Sequence, residues 1–292
     1  IEVGRQPGAM ALSPDGKYLV VANADEDTLS VVEVTKREVV STPSVRWRID
    51  DPFGASPTAL MFTPDGKSLL VCFGTQNAVG VFGFAEGKTK LQGMVPTGWF
   101  PSGLVLDAKR KTLHVSNMKG LGSGAHLTRA GKDAQTRAYF GTLSHVPLWS
   151  AGELEEMTEQ VLDNYRADVV RQALLPPRPD RKPVPVPERS GEPGVFEHVI
   201  YVIRENRTYD QVLGDMPEGN GKAELCIFGE KITPNIHKLS RDFVLLDNTY
   251  CSGILSADGH NWSLSAFAND YLERSFAGFP RAYPDGLTPN DF

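Results

Sequence analysis

Three stretches repeat the same run of apolar and polar positions. Residues 7–23 read PGAMALSPDGKYLVVAN, residues 57–73 read PTALMFTPDGKSLLVCF and residues 101–117 read PSGLVLDAKRKTLHVSN, at offsets of 50 and 44 residues. Each unit predicts a short strand, a tight turn and a second strand. Asp15-Gly16 and Asp65-Gly66 are hairpin dipeptides that tolerate a positive φ. The third copy puts Asp107-Ala108-Lys109-Arg110 at that turn and is degenerate. Further strands are expected over Thr28 to Val34 and Ala78 to Phe84.

The period changes at 150–175. Ser150-Ala-Gly-Glu153 is a capping box, and Leu154, Met157, Val161 and Tyr165 recur at helical spacing, so one amphipathic helix is predicted, packed on the repeats. Residues 176–193 hold seven prolines in eighteen residues, the composition of a stiff extended connector. Beyond it the texture becomes α/β. Val199–Ile203 is apolar on both faces, as a central parallel strand is. Thr233-Pro234 opens a helix as N-cap and first residue, Phe243–Leu246 predicts a second buried strand, and a helix is expected from His260 to about Glu273. Strand, helix, strand, helix implies a parallel sheet, with ligands beyond the carboxyl ends of its strands.

Repeats of 40–50 residues with about four short strands are the signature of propeller blades, because one blade cannot bury both of its faces alone. Two and a half blades are legible, and further blades are expected upstream. The chain opens at Ile1 without methionine or signal peptide, and both ends read as cuts through a longer protein. The expected layout is a partial propeller over 1–148, a helix and Pro-rich linker over 149–195, and a truncated α/β domain over 196–292.

Composition narrows the function. Charged residues make up 23% of the chain and hydrophobic residues 40%, both near the globular norm. A net charge of −6 gives nucleic acid no basic face to bind, and no apolar run is long enough to span a membrane. Cys72, Cys226 and Cys251 form no C-x-x-C pair, so a zinc–thiolate site is not expected, and they read as small buried hydrophobes.

The candidate chemistry sits at the two expected strand ends. Glu205 and Asn206 offer a carboxylate and an amide oxygen, hard donors suited to a divalent cation. Ser256-Ala-Asp-Gly-His260 places a hydroxyl just before a helix, where N–H groups and the dipole favour anions. A hydroxyl beside a metal at such a position is set up to attack phosphorus. Plainer readings stand beside these. Glu205 could pair with Arg204 or Arg207, and Asn206 could be a turn residue. Thr208 is a rival nucleophile but reads as a helix cap, and Ser252 is a further rival in a glycine-flanked turn. Arg207 and His260 could contact phosphate or pack structurally, and Asp258 could be a cap. His198 and His237 read as structural. His114, His126 and His145 show no metal-ligand spacing.

Two resemblances follow from these residues. The repeats, with their S-P-D-G-K turns and V-x-N ends, resemble the YVTN/YncE-like propeller family, which implies scaffolding or ligand binding. Residues 198–215, HVIYVIRENRTYDQVLGD, resemble the E-N-R-[ST]-[FY]-D-x-x-x-G motif of the phosphoesterase family that includes bacterial phospholipase C and acid phosphatase A, within the alkaline-phosphatase-like superfamily. That resemblance implies a metal-dependent phosphoric ester hydrolase. Glu205 and Asn206 would be metal ligands; Ser256 would be a nucleophile and metal ligand forming a covalent phospho-serine. Arg207 and His260 would be substrate contacts. The metal would be zinc, calcium, magnesium or manganese. Asp258 departs from the proline usual in the superfamily's T-x-P-N-H motif. The superfamily's remaining Asp and His ligands have no counterpart after 273, where the tail offers only Asp285 and Asp291, so this stretch alone is expected to be inactive or nearly so. The resemblance also implies a periplasmic or secreted location. The competing reading is a non-catalytic propeller platform of the cell envelope with a degenerate phosphatase-like domain.

Overall fold

The hairpin turns are built by side chains as much as by glycine. Gly16 and Gly66 take φ of 73° and 70°. Beside them Asp15 accepts from the Ser13 hydroxyl at 2.7 Å and the Lys17 N–H at 3.1 Å, and Asp65 accepts from Thr63 and Lys67 at the same two distances. In the third copy Asp107 replaces this device by taking the N–H groups of Lys109 and Arg110. The computed structural model describes residues 1–120, 141–249, 256–266, 268 and 273.

Strands β1 (Pro7–Leu12), β2 (Tyr18–Asn23), β3 (Thr28–Glu33) and β4 (Glu38–Ser41) form one antiparallel sheet in sequential order. The second sheet is β5 (Pro57–Phe62), β6 (Ser68–Phe73), β7 (Ala78–Ala85) and β8 (Lys88–Pro96). The third comprises β9 (Pro101–Asp107), β10 (Thr112–Asn117) and β11 (Thr142–Pro147). The strands of the repeats match expectation, and β11 adds one that the third repeat did not announce. Strand β6 shows why the sheets stack. Its run SLLVCF is apolar at every interior position: Leu69, Val71 and Phe73 join the core shared with the first sheet, while Leu70 and Cys72 join the core shared with the third. A strand buried on both faces needs that continuous run.

The chain enters each sheet through the same backbone device. Gln6, Ser56 and Phe100 each precede the proline that starts β1, β5 or β9, and all three are left-handed, with φ of 49°, 51° and 58°. Their carbonyls accept the N–H groups of Ala24, Gly74 and Met118, the residues just past β2, β6 and β10. Left-handed Asp27 and Asn77 then link neighbouring sheets. Asp27 accepts from Gly54 and Ser56 N–H at 2.7 and 3.0 Å, and Asn77 accepts from Phe100 N–H at 2.9 Å.

The helical stretch divides in two, α1 (Ala151–Asn164) and α2 (Ala167–Leu174), where one helix was expected. Arg166, at φ 55°, breaks it, a backbone choice that no Gly or Pro signals. The capping box at Ser150 and Glu153 forms. Leu154 and Met157 pack on one sheet core, Val161 and Tyr165 on the other, and the Thr158 hydroxyl accepts the Met94 N–H at 2.8 Å.

Two compact units result. One contains residues 1–177 and 188–190 with the described residues beyond 253; the other contains 178–187 and 191–252. In the second unit Arg178 grips buried Glu192 at 2.6 Å, holding that carboxyl down at about 2.

The parallel sheet expected after residue 196 is not formed among the described residues. Val199, Ile200, Tyr201, Val202 and Ile203 are in no strand and lie largely in solvent, Ile200 at 88%. Phe243, Val244 and Leu246 are likewise exposed and outside any strand. An apolar run states a need for burial but cannot supply the neighbour whose N–H and C=O groups make a ladder. The helical elements of the unit are short: α3 (Tyr209–Leu213), one 3₁₀ turn at Ala223–Leu225, and α4 (Pro234–Asp242). Helix α5 (Ser256–Ser265), in the first unit, begins four residues before the expected start at His260.

Candidate functional site

Residues 205–208 form a compact exposed knuckle ahead of α3. Asn206 is left-handed, with φ of 61°, a conformation Asn tolerates better than most residues. Its side-chain amide donates to Glu205 Oε1 at 2.8 Å. Arg207 turns back to donate to the Asn206 carbonyl at 2.5 Å, and its guanidinium sits 5.0 Å from the centre of the Phe228 ring.

Thr208 is an N-cap. Its hydroxyl accepts the Gln211 N–H at 3.4 Å and the Gln211 side chain accepts the Thr208 N–H at 3.3 Å, a complete capping box. Thr208 thus takes the capping role that its place in the sequence suggests.

In the same unit a buried histidine pairs with an exposed carboxylate. His237 on α4 is fully buried, and its Nε2 meets Asp215 Oδ1 at 2.9 Å while Nδ1 meets the Thr233 carbonyl at 2.8 Å. Asp215 also accepts the Glu230 N–H at 3.0 Å. The His237 bond, then that N–H, draw the Asp215 carboxyl down to about 2. Burial pulls the His237 imidazole down, but Asp215 and the Thr233 carbonyl outweigh it and the net shift is upward. The pair ties α4 to the turn after α3, so His237 is structural, as expected. Thr233 heads α4 without capping it; its hydroxyl donates instead to the Phe228 carbonyl at 2.7 Å.

Ser256 and His260 are four residues apart on α5. The Ser256 side chain and Asp258 lie outside what the structure describes, as do Ser252, Cys251 and His126. A chain of contacts ties helix α5 to Lys119, just past β10. Trp262 Nε1 donates to Glu273 Oε1 at 2.9 Å, and Glu273 Oε2 meets Lys119 Nζ at 2.7 Å. Both charged side chains are at most 1% exposed, and Lys119 also lies 4.9 Å from the Trp99 ring centre. Glu205 to Thr208 belong to one compact unit, Ser256 and His260 to the other.

The donors at 205 and 206 suit a hard divalent cation in kind, but they are two where such ions take six or more oxygens. Among the described residues no group of three or more His, Cys, Asp or Glu side chains could hold a metal ion. The pair could therefore contribute to a cation site without completing one. No helix among the described residues is long and apolar enough to cross a membrane.

Residues 1–142 match the family model described as YNCE-like beta-propeller, which shows the propeller for that part of the chain. No curated protein matches the chain. Among solved structures it is similar to the hydrazine synthase of Kuenenia stuttgartiensis, at 25% identity over 40% of this chain and 32% of that one, with a TM-score of 0.33. It is similar to a protein from Lactobacillus plantarum at 24% identity over 40% and 36%, TM-score 0.37. A putative 6-phosphogluconolactonase from Bacteroides uniformis matches at 18% identity over 38% and 33%, TM-score 0.34. The chain spans about a third of the length of these structures. None of these likenesses assigns a chemistry, and none points to an alkaline-phosphatase-like domain.

Proposed function

We propose that this chain serves phosphoric ester hydrolysis, with the propeller as a binding platform and residues 196–292 carrying part of an alkaline-phosphatase-like site. The observation that carries the reading is the segment ENRTYDQVLGD together with its local geometry. Glu205 and Asn206 set a carboxylate and a side-chain amide side by side on the surface, while Thr208 is spent on capping α3. In this reading Glu205 and Asn206 contribute oxygens to a divalent cation, which when bound would favour the alkoxide of a nearby hydroxyl and offset charge on phosphorus. Ser256, at the first turn of α5, is the nucleophile: its oxygen bonds to phosphorus as the ester oxygen leaves, and water later cleaves the phospho-serine. Arg207 and His260 contact the phosphate. The intact protein works in the periplasm or outside the cell.

The test is a screen of phosphate monoesters and diesters on the intact protein with added divalent metals. Activity lost to chelator and to Ser256→Ala supports the reading; hydrolysis retained by Ser256→Ala moves the nucleophile elsewhere, with Thr208→Val tested next.

A second reading is a non-catalytic cell-envelope platform. It is favoured by one observation: the segments expected to build the catalytic sheet, 199–203 and 243–246, form no ladder among the described residues, whereas the three sheets share closed apolar cores. An intact protein inactive on every ester with every metal supports this second reading.

A further inference from the structure

The outer face of the third sheet carries a histidine pair that sequence spacing hides. His114 on β10 and His145 on β11 are direct cross-strand partners. The Leu148 N–H donates to the Lys111 carbonyl, so in this antiparallel register the hydrogen-bonded pairs fall at Lys111, Leu113 and Val115. His114 and His145 therefore occupy a non-hydrogen-bonded position, where side chains approach most closely. Their Nδ1 atoms are 2.7 Å apart and the rings stand nearly perpendicular at 87°. The face points away from the core: Leu113, Val115 and Val146 pack inward, whereas Val105, opposite His114 on β9, is 61% exposed.

We propose that His114 and His145 form a two-imidazole chelate for a borderline transition-metal dication, such as Cu²⁺ or Zn²⁺, with water completing its coordination. Imidazole is the donor these ions prefer. Two nitrogens bound at about 2.0–2.1 Å with an angle of about 90–109° stand about 2.8–3.4 Å apart. Opening the existing contact by a few tenths of an ångström reaches that span, which small rotations about the exposed side-chain bonds supply. Only one proton fits between the two Nδ1 atoms now. For both to bind metal, that proton moves to Nε2 of its own ring, so two neutral imidazoles bind without net proton release. Adjacent strands hold both donors in place beforehand, and that preorganisation lets two ligands suffice. This site is separate from Glu205 and Asn206 and does not rest on the hydrolase reading.

The probe is the metal alone, titrated into the full chain by calorimetry, with Cu²⁺ also followed by electron paramagnetic resonance. The expected result is a binding equivalent that shows coupling to two nitrogens. Its affinity should fall at least about tenfold in His114→Ala and in His145→Ala. His145→Gln, which keeps a polar side chain on the strand, should lose binding to the same extent, with circular dichroism confirming that each variant folds. Equal binding by the parent and the His145 variants, or no binding by the parent, would overturn the proposal.

Discussion

The carboxylate of Asp27, at the end of the first sheet's β2–β3 turn, accepts the N–H of Ser56, the residue that leads into the second sheet, at 3.0 Å. Asn77 repeats the relationship with Phe100 one sheet later, at 2.9 Å. Each clamp joins a left-handed Asx residue to a left-handed residue ahead of a proline, so the sheets are registered by hydrogen bonds as well as by apolar packing. Asp27 is fully buried and also holds the Arg46 guanidinium at 3.3 Å.

Asp27→Ala should therefore unfold the protein at lower urea than the parent, by about 3 kcal/mol, because two N–H groups and a guanidinium lose their partner. Asp27→Asn keeps an acceptor and should cost less. Equilibrium denaturation of the two variants checks the order.

The second sheet trades a polar triad for an apolar one. In the first sheet the Asn23 side chain donates to Thr28 and Ser30 at 2.9 and 3.0 Å; in the third, Asn117 donates to Thr142 and Ser144 at 3.1 and 2.9 Å. In the second, Phe73 replaces the asparagine, with Ala78 and Gly80 opposite it. A Cβ on Gly80 would fall into the Phe73 ring, 2.7 Å from Cε2. Gly80→Ala should cost about 1–3 kcal/mol. Adding Phe73→Asn, Ala78→Thr and Gly80→Ser together should cost less than the sum of the separate changes, measured by the same denaturation.

The Asp215–His237 pair sets a pH window for the second unit. Asp215 is drawn down to about 2 from an ordinary 3.8, so its contribution is present above about 4 and lost as pH falls toward 2. His237 is raised above 6.5, so its contribution is full below that value and lost as pH rises through the raised one. Protection of the α4 amides in hydrogen exchange should be highest between these limits and fall on both sides. In Asp215→Asn the loss on the acid side should be reduced.

Much of the propeller was legible because its information is local: hairpin dipeptides, capping side chains and strand-length apolar runs all act within a few residues. Strand β11 was missed because the partner of Asn117 lies at Thr142, twenty-five residues on, where the first two repeats place it five residues on. The same separation hid the His114–His145 pair. The break at Arg166 left no mark, since nothing in its side chain demands a positive φ. The runs at 199–203 and 243–246 were misread for the opposite reason: their apolar character is real, but a strand exists only with a neighbour, and pattern does not say whether one is present. At the candidate site, the capping role of Thr208 was readable from its place ahead of a helix, whereas Asp215, which holds His237, carried no signal.

The most direct measurement is the release of alcohol from phosphate esters by the intact protein, comparing the parent with Ser256→Ala and Glu205→Gln in the presence of divalent metals. The account predicts chelator-sensitive turnover in the parent, none in Ser256→Ala and at least about a hundredfold loss in Glu205→Gln. Turnover that persists in Ser256→Ala, or a parent inert with every metal and ester, would contradict it.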